Sequence, residues 1–362
     1  MRRIHFALGL YLLAAAASGL TYTVTSTADS GAGSLRQAIT DANTNPGADT
    51  IQFNIAGSGV QTITPASSLP PITEAVTIDG YTQSGSSPNT LPTSQGLNTV
   101  LRIEIDGTNT GATACLDVQA DDVTIKGLAI NRCPGIGILT TGAHQDLVVE
   151  GCFIGTNAAG TQALEPYGGA LHVRNHANAR IGGTVPAARN LVSGGSAGGY
   201  QILLGDFAQD ATGTVIAGNL VGTDVTGLSR FAQNGMFSVF LTRGSNNTIG
   251  GTSAGARNVM VGGEISLGGQ IDGVEASNNL VQGNFLGIDV TGQVVLGCYA
   301  QCIAVNSRNN TIGGSAAGAG NRMGGSIGNA AIRILGQNTI VQGNFLGTDP
   351  TGTVRTPNGN YG

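Results

Sequence analysis

The amino-acid sequence predicts an all-β fold, a right-handed parallel β-helix with coils of about 22 residues. Composition is the first observation, because 59 of the 362 residues are glycine and tryptophan is absent. The second observation is a pair of motifs that recur along the chain, and the third is a regular series of short apolar strands between Gly and Asn turns. A unit this short cannot bury its own apolar side, so it must stack on similar neighbours.

Residues 1–19 resemble a secretory signal peptide. Arg2 and Arg3 precede an apolar stretch that runs to about Ala17, and small residues lead to a predicted cleavage site near Gly19. No later segment reaches the roughly 18 to 20 apolar residues that a bilayer requires. We therefore expect a secreted or cell-surface protein with no transmembrane segment after signal cleavage.

Residues 20–75 are predicted to form an N-terminal strand and a short capping helix. Ser34 is a typical helix N-cap residue and precedes the helical pattern. The apolar face of this helix would consist of Leu35, Ala38, Ile39 and Ala42. We expect the helix to lie across the first coil and to cover strand edges that would otherwise invite aggregation.

Residues 76–362 are assigned to the β-helix, in which two motifs alternate. The first reads VIAGNLVGTDVTG from Val215, LVQGNFLGIDVTG from Leu280 and IVQGNFLGTDPTG from Ile340. The second reads RIGGTVPAARNLVSGG from Arg180, TIGGTSAGARNVMVGG from Thr248 and TIGGSAAGAGNRMGGS from Thr311. The long period is 60 to 68 residues, which predicts three coils per long repeat. The sequence stops within a repeat, so we expect a longer natural protein or a last coil that stacks on another chain.

Specific stretches resemble a known group of proteins. They are YTVTSTADSGAGSLRQAITDANTNPGADTIQFNI from Tyr22, ITEAVTIDGYTQSG from Ile72, and the two repeated motifs. Together they resemble the secreted right-handed parallel β-helix repeat proteins of bacteria, over nearly the whole chain that follows the predicted signal peptide. The resemblance implies an exported or surface protein and no particular activity. By architecture alone, the chain is also similar to pectin-degrading lyases and phage tailspikes.

The charge content limits the classes of partner. Only 10% of the residues are charged and the formal net charge is −5, so we expect no nucleic-acid partner, which would need a concentrated basic surface. The expected partners are polysaccharides or cell-surface glycans, and copies of the same chain through the open C-terminal coil. We expect no cofactor.

The chain contains five cysteines, Cys115, Cys133, Cys152, Cys298 and Cys302. An odd number leaves at least one thiol unpaired. Cys298 and Cys302 are close enough for a small-loop disulfide in an oxidising compartment, whereas the first three could be small apolar residues inside successive coils. No CxxC pair with matching histidines is present in the sequence, so we expect no zinc site.

Asp224, Asp289 and Asp349 occupy the Gly-x-Asp-x-Thr-Gly turns of the first motif and are the weak calcium candidates. Copies of the turn are expected about three coils, or roughly 14 Å, apart, which is too far for two of them to hold one ion. An Asx-turn, in which the carboxylate accepts backbone N–H groups, explains the same residues without a metal. We therefore expect no metal.

The candidate catalytic residues come from an alignment of strands by their inward-facing positions. One outward column is predicted to contain Asp79, Glu104, Lys126, Glu150 and Arg174, with His172 on the same face. If this column is an active site, mutual repulsion between the Asp79 and Glu104 carboxylates would raise the pKa of one of them, which could then act as a general acid. Lys126 or His172 would act as the base, and Arg174 would hold an acidic sugar. As a structural feature, the alternating charges would only stabilise coil stacking.

Two hypotheses follow from these patterns. The first is an exported, non-catalytic β-helix that acts as a surface stalk, an adhesin-like segment or a glycan-binding segment. The alternative is a polysaccharide lyase or glycoside hydrolase that uses the predicted column. The first is favoured because the sequence lacks the Gly-His-Gly and Arg-Ile-Lys elements of polygalacturonases, a Gly-x-Ser-x-Gly elbow and a His-Glu-x-x-His helix.

Overall fold

The computed structural model describes residues 18–358, apart from residues 112, 196–198, 207, 233–235, 269–275, 329, 350 and 352. Residues 1–17 of the predicted signal peptide lie outside the described residues. Within the described ranges, no helix has the length and apolar character needed to cross a membrane.

The described residues form a parallel β-helix with three long sheets and one short sheet, and neighbouring strands in each sheet pair in parallel. The strands of sheet A are Thr21–Val24, Asp49–Phe53, Val76–Asp79, Thr124–Lys126, Val148–Glu150, Arg180–Gly182, Val215–Ala217, Thr248–Gly250, Leu280–Gln282, Thr311–Gly313 and Ile340–Gln342. The strands of sheet B are Gln61–Ile63, Ile103–Asp106, Ala129–Asn131, Phe153–Ile154, Leu191–Val192, Leu220–Val221, Val259–Met260, Phe285–Leu286, Arg322–Met323 and Phe345–Leu346. The predicted fold class is therefore confirmed.

The other two sheets complete the coil. The strands of sheet C are Ala114–Val118, Ile136–Thr140, Gly169–Val173, Tyr200–Leu204, Phe237–Leu241, Glu264–Leu267, Ile303–Val305 and Ile332–Ile334. The strands of the short sheet D are His144–Gln145, His176–Ala177 and Ala211–Thr212. Short 3-10 helices in the described residues lie at Gly80–Thr82, Pro186–Ala188 and Ala254–Ala256.

The predicted coil length of 22 residues, with three coils per long repeat, is wrong. Strands of sheet A begin at Thr248, Leu280 and Thr311, so one coil takes 32 or 31 residues and two coils make one long repeat. A complete coil in this region contributes one strand each to sheets A, B and C. Strands of the three sheets look alike in the sequence, and a step of two strands, about 22 residues, therefore mimics a full coil.

The predicted N-terminal helix is confirmed at Leu35–Ala42. Ser34 is its N-cap, and its hydroxyl oxygen accepts a hydrogen bond from the backbone N–H of Gln37 at 3.2 Å. The four predicted apolar residues are all buried in the main core, together with residues of the first two strands of sheet A. Those two strands lie within residues 20–75, so sheet A continues across the boundary predicted at residue 76.

The core is a column of inward-facing aliphatic side chains in register. Ile78, Ile125 and Val149 pair along sheet A and are fully buried, and the same position continues as Ile181, Ile216, Ile249, Val281 and Ile312. Each buried aliphatic side chain contributes about 1.5–3 kcal/mol relative to exposure. Stacking of like residues therefore provides much of the driving force for coil formation.

A ladder of asparagine amides stacks at the corner between sheets A and B. Its members are Asn190, Asn219, Asn258, Asn284, Asn321 and Asn344. Each Nδ2 donates to the Oδ1 of the next asparagine at 2.9–3.0 Å, and most of these residues are completely buried. A second ladder joins Asn247, Asn279 and Asn310. These asparagines satisfy buried backbone groups and therefore have a structural role.

Four of the five cysteines are paired. The expected disulfide between Cys298 and Cys302 is confirmed. A second disulfide joins Cys115 to Cys133, which lie on consecutive coils, and this pair differs from the expectation of separate apolar packing. Cys152 remains an unpaired, buried thiol.

Candidate functional site

The six predicted catalytic residues do not form one column, so that arrangement is wrong. Asp79, Lys126 and Glu150 belong to sheet A, Glu104 to sheet B, and His172 and Arg174 to sheet C or the residue directly after its strand. The segments 101–104 and 171–174 have the same apolar pattern as the sheet A strands, yet they form other faces of the coil. The structure therefore brings Asp79, Lys126 and Glu150 together on sheet A and His172 and Arg174 together on sheet C, whereas Glu104 lies apart from both groups.

The three residues on sheet A form ion pairs. Lys126, the only lysine of the chain, lies in register between Asp79 and Glu150. Lys126 Nζ is 3.0 Å from Asp79 Oδ2, and Arg180 Nη2 is 2.9 Å from Glu150 Oε2. Partly exposed pairs of this kind contribute about 0.2–1 kcal/mol each. The arrangement matches an alternating charge ladder, in which each carboxylate is neutralised by a neighbouring cation.

Glu104 is separated from Asp79 and has different neighbours. Its register partners in sheet B are Thr62 and Ala129. Its carboxylate accepts hydrogen bonds from Thr62 Oγ1 at 2.8 Å and from Asn131 Nδ2 at 2.9 Å. The predicted repulsion between two adjacent carboxylates therefore does not arise at these positions.

His172 and Arg174 lie on the outer side of sheet C. The His172 ring packs edge-on against Tyr200, with centroids 5.9 Å apart, and its Nε2 is 3.2 Å from the carbonyl oxygen of Gly205. A carbonyl oxygen only accepts, so Nε2 carries the proton. Burial lowers the pKa of His172 to about 4, which makes the ring neutral at pH 7. Arg174 pairs with Asp206 at 3.3 Å.

The weak calcium candidates are held as Asx-turns. Asp289 Oδ1 accepts backbone N–H groups of residues 293 and 294, and Asp349 Oδ1 accepts those of residues 353 and 354. The Thr351 hydroxyl and these N–H groups lower the pKa of Asp349 to about 2. Asp224 accepts from the Thr226 hydroxyl. Among the described residues, no group of three or more His, Cys, Asp or Glu could hold a metal ion. The expectation of no metal, with these aspartates as weak calcium candidates, stays untested.

Glu165 is a titratable residue that the sequence reasoning missed. It is half-buried, burial raises its pKa to about 7, and Ser193 Oγ donates to it at 3.2 Å. A carboxylic acid that is partly protonated at neutral pH is suited to proton transfer. The sequence carries a signal, because the equivalent positions of the other turns hold Ala232, Gly297 and Pro357.

Two histidines that were not predicted as site residues are neighbours on sheet D. His144 and His176 are register partners, and His144 Nδ1 lies 3.3 Å from Asp121 Oδ1. His176 is 2% exposed, its Nε2 has no hydrogen-bond partner, and burial lowers its pKa. Both residues line an open depression of about 230 Å³ that Asp210 also borders. The depression is open to solvent, whereas a reaction site is sheltered from water.

The sheets define the class of the protein, which is a parallel β-helix protein. No family model matches the chain, and no curated protein matches it. Among solved structures, it is similar to the major allergen of cedar pollen, with 14% identity, a TM-score of 0.42, and coverage of 91% of this chain and 82% of the allergen.

Two further structures show a likeness over most of the chain. The A-module of a mannuronan C-5 epimerase from Azotobacter vinelandii has 12% identity and a TM-score of 0.36, with 91% of this chain and 93% of that module covered. A pectate lyase has 14% identity and a TM-score of 0.37, with 91% and 80% covered. Identities and scores this low carry no information about the activity of this chain.

Proposed function

We propose that this protein is an exported, non-catalytic β-helix that presents a glycan-binding surface outside the cell. The observation that carries the proposal is the dispersal of the predicted acid and base groups over three sheets, with those on sheet A neutralised in pairs. A catalytic site needs converging groups with matched pKa values. An ion-paired ladder on an exposed sheet needs neither and serves to solvate that face.

Two features support a role at a surface. Eleven strands of sheet A, spaced about 4.8 Å apart, give a rod of roughly 50 Å. Tyr167 and Tyr299 occupy equivalent positions after the turns, are 72% and 44% exposed, and offer apolar ring faces with a polar tip to a sugar. The disulfides and the composition of residues 1–19 support export, because disulfides persist in oxidising compartments. Self-association through the last coil stays a prediction.

The proposal is tested with the purified mature protein against uronate-containing and neutral polysaccharides. Binding is followed by calorimetry, while unsaturated products and new reducing ends are assayed in parallel. We expect binding without turnover, unchanged in Lys126→Ala and Glu104→Ala, whose unfolding free energies should fall by about 1 kcal/mol or less. Turnover that is lost in both variants would overturn the proposal.

A carbohydrate lyase or hydrolase is the second candidate function, and Glu165 is the observation that favours it. Its raised pKa fits a general acid, but among the described residues the side-chain hydrogen bond to its carboxylate comes from Ser193, and no second carboxylate affects its pKa. Hydrolases of this type need a second carboxylate about 5–9.5 Å away. Turnover that is lost in Glu165→Gln and retained in Lys126→Ala would select this candidate.

A further inference from the structure

A pocket of about 300 Å³ opens on the outer side of sheet B, near the Asx-turn carboxylates of Asp289 and Asp349, whose charges act on Arg322. The pocket is lined by three glycines and by the side chains of Arg257, Arg322, Phe285 and Phe345. The two guanidinium groups and the two aromatic rings are therefore the groups that a ligand could contact. The guanidinium carbons of Arg257 and Arg322 lie 4.1 and 4.9 Å from the centroid of the Phe285 ring. The pocket therefore combines two positive charges with an aromatic wall.

Both guanidinium groups have unused hydrogen-bonding capacity. The Nε atoms of Arg257 and Arg322 are buried without a hydrogen-bond partner. Arg322 Nη2 donates to the carbonyl oxygen of Gly292 at 2.6 Å, whereas in the described part of the chain the Arg257 guanidinium contacts the Phe285 ring and donates to no acceptor. An unpaired buried donor destabilises the folded protein, and more so when it is charged. An acceptor that enters the pocket would remove this cost.

The preceding copy of the motif shows how an arginine at this position is satisfied. Arg189 is the equivalent of Arg257 and is 1% exposed. Its Nη1 donates at 2.9–3.3 Å to carbonyl oxygens of the loop at residues 91–96, which covers it. The same loop reaches only the edge of the next copy, where Thr93 Oγ1 donates to the carbonyl oxygen of Ala254. No comparable cover lies over Arg257 in the described structure.

The third copy of the motif departs from the first two in a way that creates the pocket. Glycine occupies the equivalent of Arg189 and Arg257, at position 320, and Arg322 occupies the place of Leu191 and Val259. Gly320 carries no arginine side chain at this position, because the backbone of Gly343 approaches it closely, while Arg322 adds a second cation next to Arg257. Their mutual repulsion contributes to a lowered pKa of Arg257, after burial as the main cause. Neutral carbonyl groups satisfy one cation at Arg189, but two adjacent cations favour an anion.

We propose that this pocket is a subsite for one hexuronate residue of an acidic polysaccharide. The sugar carboxylate would accept hydrogen bonds from Arg257 and Arg322, and the apolar side of the pyranose ring would pack on Phe345, because the Phe285 ring is buried beneath the two guanidinium groups. The inference rests on the proposed function, because it names the substrate class that the glycan-binding surface takes. It assigns recognition only, with no bond made or broken.

The test compares two hexamers that differ only in the carboxylate, 1,4-linked glucuronate and 1,4-linked glucose, by calorimetry at low salt. We expect the glucuronate hexamer to bind, and Arg257→Gln and Arg322→Gln each to weaken that binding by about tenfold or more. Arg102→Gln is the matched control, because it removes the same charge from a distant surface, where Arg102 Nε donates to the carbonyl oxygen of Gly85. Thermal melting of each variant verifies that it is folded.

The outcomes separate this inference from the proposed function. Glucuronate binding that is lost in both pocket variants and kept in Arg102→Gln supports the subsite. Equal binding by all variants, or a preference for the glucose hexamer, overturns the subsite and leaves a glycan-binding surface elsewhere. Absence of binding to either hexamer overturns the subsite, and absence of binding to every polysaccharide in the screen overturns the proposed function as well.

Discussion

Glu165 and Asp349 show how local contacts set the ionisation of single carboxyl groups in this protein. Hydroxyl and backbone donors around Asp349 favour its charged form and lower its pKa to about 2. Glu165 is half-buried with one hydroxyl donor, so desolvation dominates and raises its pKa to about 7. The same residue chemistry therefore gives a fixed charge in one turn and a titrating group in another.

Glu165 should make stability depend on pH. Its folded pKa is raised above the usual 4.5, so its favourable contribution is complete below about pH 4.5 and is lost as the pH rises through about 7. Glutamine does not titrate and keeps an oxygen for the Ser193 hydroxyl. We expect the melting temperature of Glu165→Gln to equal that of the wild type at pH 4.5 and to exceed it at pH 8. The same difference in melting temperature at both pH values would contradict the raised pKa of Glu165.

The residue scale is also where the sequence predicted least. Ion pairs such as Lys126–Asp79 join residues 47 positions apart, and the partner is known only once the register is known. Arg257 and Arg322 meet over Phe285 for the same reason. A usable signal was present in the repeats themselves, because position 320 and Arg322 break the pattern of their copies.

The asparagine ladder joins consecutive coils through hydrogen bonds. Its interior members make more buried hydrogen bonds than the member at its end. Asn258 Nδ2 donates to the carbonyl oxygen of Ile216 at 2.8 Å and to Asn284 at 2.9 Å, and Asn258 Oδ1 accepts from the backbone and side chain of Asn219. Asn344 is partly exposed, so water can replace its amide. Interior members thus satisfy groups that nothing else can reach.

Asn258→Ala should therefore destabilise the protein more than Asn344→Ala. We expect about 2–4 kcal/mol for Asn258→Ala, because several buried groups lose their partner, and about 1 kcal/mol for Asn344→Ala. Denaturant unfolding followed by circular dichroism measures both values. Equal losses of unfolding free energy in the two variants would show that burial does not determine how much each asparagine stabilises the protein.

At the element scale, the sequence predicted the helix well and the coil poorly. The cap at Ser34 and the apolar face of Leu35–Ala42 depend on neighbouring residues, so local spacing was sufficient. Coil length depends on which strands pair, and short apolar strands of the three sheets share one pattern. The placement of Glu104 and Arg174 in the predicted column failed for that reason.

At the scale of the whole molecule, two coils form one repeat unit. Alternate coils carry the Asx-turn, and these turns contact one another, since Val225 N–H donates to the carbonyl oxygen of Gly160 and Val290 N–H to that of Gly227. The turns pack their apolar residues on the outer side of sheet B and bury much of it. The pocket at Arg257 and Arg322 remains open beside them on this otherwise covered face.

The measurement that tests the account most directly is a crystal structure of the mature protein with the glucuronate hexamer. We predict an intact oligosaccharide, with one carboxylate bonded to Arg257 and Arg322 and a sugar ring against Phe345. A shortened or unsaturated sugar beside Glu165, or along sheet A at Lys126, would contradict both the non-catalytic role and the proposed subsite.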